Sequence, residues 1–179
     1  MTFQLTKRPD HWYAVYVLVR SEKKLLAALE QKGIECYLPL KTERRQWSDR
    51  VKVVQEPLLR GYIFVRVNNK EYYEVLNTSG AIRYVCFDDK PAAIPDRQIE
   101  SLRIFVEHAN ASLEVTTERI RKGTGIRVVT GPLKGVTGEV VEIRGRKRVL
   151  LRFGTLGYYL HAELGTQSIE VVSGKNEAT

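Results

Sequence analysis

Cysteine, histidine and methionine are scarce in this chain of 179 residues, which holds only two, three and one of them respectively. Cys36 and Cys86 both sit in apolar, strand-like runs, so they read as small buried thiols rather than as a disulfide framework or a reactive centre. His11, His108 and His161 are scattered and have no cysteine or aspartate at ligand spacing, which argues against a zinc site. No run approaches the ~20 apolar residues that cross a bilayer, and residues 1–10 carry no apolar core of a signal peptide. The expectation is a cytoplasmic protein with no membrane contact. Catalytic patterns are missing too: no Gly-x-Ser-x-Gly elbow, no Walker loop, no dinucleotide fingerprint and no recognisable pair of working carboxylates. Asp88-Asp89-Lys90 reads as a solvated hairpin turn. The chain therefore reads as a binding protein and not an enzyme, with no metal or organic cofactor.

What the chain does have is positive charge and enough apolar residues for real cores. Lys and Arg number 29 against 21 Asp and Glu, a net charge of +8, and 43 % of the residues are hydrophobic. Such a balance favours anionic partners, although it says nothing about fold. Residues 12–19 form an unbroken apolar and aromatic run, the pattern of a central strand. Ser21 is placed to cap a following helix with Leu25, Ala28 and Leu29 on its inner stripe, and Gly33 is placed to stop it. A second helix is predicted over 70–77 and a third after Pro95, with a strand at 81–87 between them.

Two segments of this half stand out. Residues 41–60 hold six basic residues against three acidic ones, with Trp47 in the polar string Arg44-Arg45-Gln46-Trp47-Ser48-Asp49-Arg50. A protruding basic hairpin turning at Ser48-Asp49 is expected; the alternative is a solvated loop with Trp47 folded back. Residues 62–67 alternate, with Ile63, Val65 and Val67 on one face and Tyr62, Phe64 and Arg66 on the other. The aliphatic face is the expected core face. The aromatic face is then either a contact surface or covered by a helix.

Residues 110–118 are small and polar and read as a linker, which divides the chain into domains at 11–109 and 119–173. The second domain is all strand in texture, with five candidates at 125–129, 138–143, 147–153, 158–163 and 168–172. Their length and spacing point to a small five-stranded SH3-like β-barrel. The overall class is α+β: an antiparallel sheet with flanking helices, followed by that barrel. Ten basic residues against two acidic ones lie in 119–152, many at the hairpin tip Arg144-Gly145-Arg146-Lys147-Arg148. That tip either touches phosphate or is merely solvated.

The string from Lys122 through Gly131-Pro132-Leu133-Lys134-Gly135 to Val140 resembles the KOW module of transcription elongation factors and some ribosomal proteins. Trp12-Tyr13-Ala14-Val15-Tyr16 with Glu22-Lys23-Lys24, and Arg60-Gly61-Tyr62-Ile63-Phe64-Val65, resemble the N-terminal domain of the NusG family. Arg45-Gln46-Trp47-Ser48-Asp49-Arg50 resembles the specialised UpxY-type paralogues of Bacteroides, which regulate capsular-polysaccharide operons; RfaH is a more distant counterpart. The resemblance implies a monomeric transcription elongation and antitermination factor that binds the clamp helices of RNA polymerase and suppresses pausing and termination. It implies a polymerase patch at Tyr62, Phe64 and Arg66, extended by Tyr84. It also implies a KOW turn at Gly131, Pro132, Lys134 and Gly135, in a module that contacts Rho or a ribosomal protein in relatives. Three departures qualify the match: Arg60 stands where the family usually has Pro, Glu71-Tyr72-Tyr73 replaces the His-Thr-Thr of RfaH, and Leu18-Val19-Arg20-Ser21 keeps little of the basic and polar loop with which RfaH reads a non-template DNA hairpin. Recruitment would then use Arg20, Lys23 and Lys24 or Arg44, Arg45 and Arg50, on non-template DNA or nascent RNA. The alternatives are a general housekeeping NusG-type factor and a ribosome-associated RNA-binding protein.

Overall fold

A computed structural model describes residues 10–47, 50–109, 112–165 and 169–172, apart from the side chains of Arg45 and Trp47. The chain divides into two compact units, Met1–Asp96 and Arg97–Thr179.

In the first unit the run of apolar residues forms β1 (His11–Val17), followed by α1 (Glu22–Gln31), β2 (Glu35–Tyr37), β3 (Leu40–Trp47), β4 (Arg50–Pro57), β5 (Tyr62–Val67), α2 (Asn69–Leu76) and β6 (Ala81–Tyr84). The short strands β7 (Cys86–Phe87), β8 (Lys90–Pro91) and β9 (Ala93–Ile94) close it. The sheet runs in the order β2-β5-β1-β6, with β9 also pairing β1. Every pair in it is antiparallel. Ser21 stands at the N-cap of α1, but its side chain makes no capping bond. The other end is built as expected. Gly33 adopts φ 71°, a conformation that a Cβ would strain, so that its N–H reaches Glu30 O and the N–H of Ile34 reaches Leu29 O. Asn68 caps α2 by accepting from the N–H groups of Lys70 and Glu71, while Glu71 reaches back to the N–H of Asn68. Leu25 and Leu29 of α1 and Val75 of α2 join Val15, Ile63, Val65 and Val67 in one core, so the aliphatic face of β5 is the core face.

The hairpin of β3 and β4 forms a separate two-stranded ribbon, in register from Leu40 opposite Pro57 to Trp47 opposite Arg50; its turn, Ser48-Asp49, lies outside the described residues. The N–H of Leu58 donates to Pro39 O at 2.8 Å and closes its base. Asp88 and Asp89 take φ 48° and 59° in the turn joining β7 to β8. Cys86 in this ribbon is exposed, which corrects the expectation of a buried thiol: two paired residues have no layer to cover them. Cys36 is half-buried, and burial pushes its thiol up to about 11.

The second unit begins within α3 (Asp96–Ile104), which runs on through a π-helical turn, Phe105–Ala109. It continues through β10 (Glu114–Thr116), β11 (Thr124–Val128), β12 (Thr137–Ile143), β13 (Arg146–Phe153), a 3-10 turn (Gly154–Leu156), β14 (Tyr158–Glu163) and β15 (Ile169–Val171). The sheet order is β10-β14-β13-β12-β11-β15, six antiparallel strands rather than five. The extra strand comes from the stretch read as linker: Glu114, Val115 and Thr116 pair with His161, Leu160 and Tyr159. The third helix also belongs largely with this unit. Ser101 Oγ accepts from the N–H of Thr137 at 3.0 Å, and Gln98 Nε2 donates to Arg152 O at 2.8 Å. Alternation along 114–116 is too short to register as a pattern, which is why a compositional reading passes over it.

Candidate functional site

The aromatic face of β5 comes first, because cross-strand partners share a face. Tyr62 lies opposite Tyr16, Phe64 opposite Ala14 and Tyr37, and Arg66 opposite Trp12 and Glu35. This face is not open as expected of a contact surface: Phe64 is 0 % exposed and Tyr62 only 9 %, with Trp12 and Ala14 buried too. Beside Phe64 in the sheet lie Ala14 and Tyr37, whose ring centroid is 6.4 Å from that of Phe64, and Tyr16 packs on Tyr62 at 4.8 Å. Arg66 is half-buried and held by Glu35 and Asp96 at 3.6 and 3.4 Å.

Tyr84 does not extend this patch. It pairs with Val15, which places it on the aliphatic face, 2 % exposed. Its ring stacks on Tyr72 at 4.0 Å and its hydroxyl donates to Tyr72 O at 3.0 Å. Burial and the neighbouring tyrosines push its phenol well above the ordinary value. The neighbour on the aromatic face is Arg83, opposite Tyr16. Arg83 is exposed, with its guanidinium carbon 4.5 Å from the centre of the half-exposed Tyr16 ring. Tyr16, Tyr62 and Arg83 thus form the accessible end of the face. Tyr16 and Arg83 were missed from sequence because only the strand pairing brings them beside Tyr62.

Of the basic residues singled out above, the fold brings Arg20 and Lys23 together with Arg60 in a cleft of about 720 Å³ at the root of the hairpin, also lined by Val19, Glu22 and Gln55. Arg20 takes φ 63° in the turn before α1. Lys23 Nζ donates to Gln55 O at 2.6 Å, and Arg60 donates to Glu56 at 3.1 Å. Glu22 is buried and accepts the N–H of Gly61 at 2.9 Å, tying the start of α1 to the start of β5. Lys24 is exposed and does not line the cleft. On the ribbon, Arg44 sits opposite Val53 and Arg50 opposite Trp47, so the two arginines point from opposite faces. The side chain of Arg45 lies outside the described part of the structure.

In the second unit, Gly131 and Gly135 take φ 80° and 95°. The N–H of Lys134 donates to Gly131 O, and that of Gly135 to Val128 O. Leu133 is buried inside this turn, while Pro132 and Lys134 are exposed. Two ionic clusters stiffen the sheet. Arg152 grips Glu139 through Nε at 2.8 Å and a terminal nitrogen at 2.9 Å, and also donates to Ile120 O and Arg121 O. Burial pushes the Glu139 carboxyl upward, but the bonds from Arg152 and from the N–H of Gly123 outweigh it and hold the group below its usual range. Arg148, buried, donates to Glu114 and to His161 Nδ1 at 2.6 and 3.0 Å and pairs with Glu163 at 3.4 Å. Since arginine can only donate, Nδ1 of His161 accepts and the proton sits on Nε2.

A family described as transcription termination factor NusG matches residues 10–103. The transcription termination/antitermination protein NusG of Thermus thermophilus is 28 % identical over 162 residues, covering 78 % of this chain and 88 % of that protein. The protein of the same name from Lactococcus lactis is 24 % identical over 173 residues, covering 89 % and 91 %. A solved structure described as domain interaction in Thermotoga maritima NusG aligns over 91 % of this chain and 97 % of that one, with 19 % identity and a TM-score of 0.49. With more than half of its length matched by the family, in the part that carries the aromatic sheet and the hairpin, the chain belongs to the NusG family of transcription termination factors.

Proposed function

We propose that this protein is an operon-specific antitermination factor that binds RNA polymerase through its first unit and suppresses pausing and termination at polysaccharide operons. The observation that carries the reading is the accessible end of the aromatic face, where Tyr16 packs on Tyr62 and lies beneath Arg83. Aromatic rings with an adjacent arginine are the side chains that dominate protein interfaces. They suit a helical, acid-bearing partner such as the clamp helices. Phe64 supports this surface from within, and Arg66 is held at its border. The Arg44–Arg50 segment supports the specialised branch of the family over a housekeeping factor, and the cleft of Arg20, Lys23 and Arg60 offers cations to nucleic acid in the transcription complex. The turn at Gly131–Gly135 and the antiparallel sheet around it support a KOW-type SH3-like barrel for the second unit, which would hold the contact to Rho or a ribosomal protein. No chemical step is required, because binding alone biases polymerase toward its non-paused state.

The test is transcription in vitro through a terminator, on leaders of polysaccharide operons and on unrelated leaders. A Tyr16→Ala/Arg83→Glu variant is preferred to one at Phe64, since both side chains reach solvent and their removal leaves the core intact. Losing one interface anchor costs about 2 kcal/mol, roughly thirtyfold in affinity, so read-through should collapse in the variant. Equal read-through by the two proteins defeats the polymerase surface, and equal wild-type activity on all leaders defeats the operon-specific reading.

A further inference from the structure

The exposed ribbon of β3 and β4 has two unlike faces. By its register, Thr42, Arg44 and Gln46 share one face with Gln55, Val53 and Val51. All six side chains are exposed, Val51 and Val53 at 61 % and 59 %. No carboxylate stands among them. Among the described side chains the opposite face carries Lys41, Glu43, Arg50, Lys52, Val54 and Glu56, so that bases and acids are mixed there. Valine suits a strand in any setting, but here Val51 and Val53 stand exposed beside Thr42, Arg44 and Gln46 on a face without acids. We infer that this face reads base edges in the major groove of duplex DNA.

The fit is chemical and dimensional. A two-stranded ribbon enters the major groove, which is about 12 Å wide. Arginine pairs with guanine, glutamine with adenine, and threonine or valine methyls with the methyl group of thymine. From Thr42 to Gln46 the face spans about 14 Å at ~3.4 Å per residue, which matches about four base-pair steps of ~3.4 Å each. Thymine's methyl is absent from RNA, and the major groove of an RNA helix is too deep and narrow for side chains to read. The valine pair therefore favours DNA. A second feature points the same way: Gln55, at the end of this face, also lines the cleft of Arg20, Lys23 and Arg60, where phosphates of the same duplex would lie. The carboxylates there are already occupied, Glu22 by the N–H of Gly61 and Glu56 by Arg60. The inference rests on the reading of this chain as a nucleic-acid-contacting transcription factor and names the form of nucleic acid and the residues that choose its sequence.

The experiment is selection of a randomised duplex DNA library by the full chain, followed by anisotropy titration of the selected duplex, an unrelated duplex and single-stranded RNA. The expected result is a preferred core of about four to five base pairs. Arg44→Ala and Gln46→Ala each weaken the selected duplex by about tenfold and leave the unrelated one unchanged, whereas Lys23→Gln weakens both alike. Replacing thymine by deoxyuridine in the core weakens the wild type but not Val51→Ser/Val53→Ser. These side chains are exposed, so melting temperature is expected to stay constant and loss of binding cannot be confused with unfolding. No enriched sequence, equal loss on both duplexes in the Arg44→Ala and Gln46→Ala variants, or tighter binding to RNA than to any duplex overturns the inference. The Tyr16→Ala/Arg83→Glu transcription test does not depend on any of these results, so either reading can fail alone.

Discussion

Removing the Arg152 guanidinium tests how the second unit ties residues 120–123 to the centre of its sheet. The perturbation is Arg152→Met, which keeps the length of the side chain and deletes its donors. The side chains of Arg152 and Glu139 are 27 % and 16 % exposed, between a surface pair and a buried one. Exposed pairs contribute about 0–1 kcal/mol, and breaking a buried pair from one side costs about 3–5 kcal/mol. A cost of about 2–3 kcal/mol is therefore expected, because Glu139 loses two charge-assisted bonds while Ile120 O and Arg121 O lose their donor. If the unit Arg97–Thr179 melts as its own cooperative block, its midpoint should fall on the order of 10–20 °C.

The assay is chemical and thermal denaturation of wild type, Arg152→Met, Glu139→Gln and the double variant. A coupling energy of at least about 1.5 kcal/mol is expected from the cycle. Hydrogen exchange should show residues 120–123 released first, since Gly123 is tied by its N–H to the same carboxylate at 2.7 Å. The pH dependence gives a second reading. Glu139 has a depressed pKa in the folded state, so its contribution is present above its unfolded value of about 4.5 and is lost as pH falls below it. Arg152→Met should flatten that acid-side loss. A coupling below about 0.5 kcal/mol would refute the reasoning, because the pair would then behave as an ordinary surface contact.

Phe64→Ala should cost about 3–5 kcal/mol, because the ring is fully buried between Ala14 and Tyr37; denaturant titration checks it, and a loss under about 1 kcal/mol means the face is open in solution. Asp89→Gly should stabilise the first unit by up to about 1 kcal/mol, since Asp89 holds φ 59° in the β7–β8 turn; an unchanged or lower midpoint speaks against strain there. His161 is held below its usual value of 6.5 by burial and by Arg148 beside it, with Glu114 opposing and Arg144 adding to the effect. Its unfolded form therefore takes up a proton first, and stability should decline as pH drops below about 6.5, a slope that His161→Gln removes. Persistence of the slope in that variant assigns it to other groups.

Much of this architecture was legible as periodicity. Ile63, Val65 and Val67 point into the core as their alternation requires, Gly33 ends α1 in the left-handed conformation, and the hairpin over 40–57 and the turn at Asp88-Asp89 form where the sequence places them. What escaped was whatever depends on pairing between distant strands. The face of Tyr84 is fixed by Val15, and a register shift between Tyr16 and Val17 on the same edge separates Arg83 from Ala81. Neither can be read along one strand. Tyr62 and Phe64 were legible as one face, but not that Trp12 and Ala14 are buried with them. The strand at 114–116 and the placement of α3 were lost for the same reason, since Ser101 meets Thr137 across more than thirty intervening residues.

The hairpin is built as an addition to the core of the first unit. The Leu58 N–H to Pro39 O bond joins the chain on either side of β3 and β4, and Pro39 and Leu59 are buried just outside them. The ribbon makes its own sheet and adds no fully buried side chain among its described residues. Its side chains therefore carry little of the stability of the first unit, and exposed substitutions there are expected to stay within about 0.5 kcal/mol. Replacing residues 42–55 by a two-residue Asn-Gly turn should leave Leu40 and Lys41 paired with Pro57 and Glu56, with the core of Val15, Ile63 and Leu29 untouched. Such a chain should keep its melting temperature and the read-through proposed for the Tyr16–Arg83 surface, while losing the duplex preference proposed for the ribbon. A fall in midpoint of more than a few degrees would instead make the ribbon part of the fold.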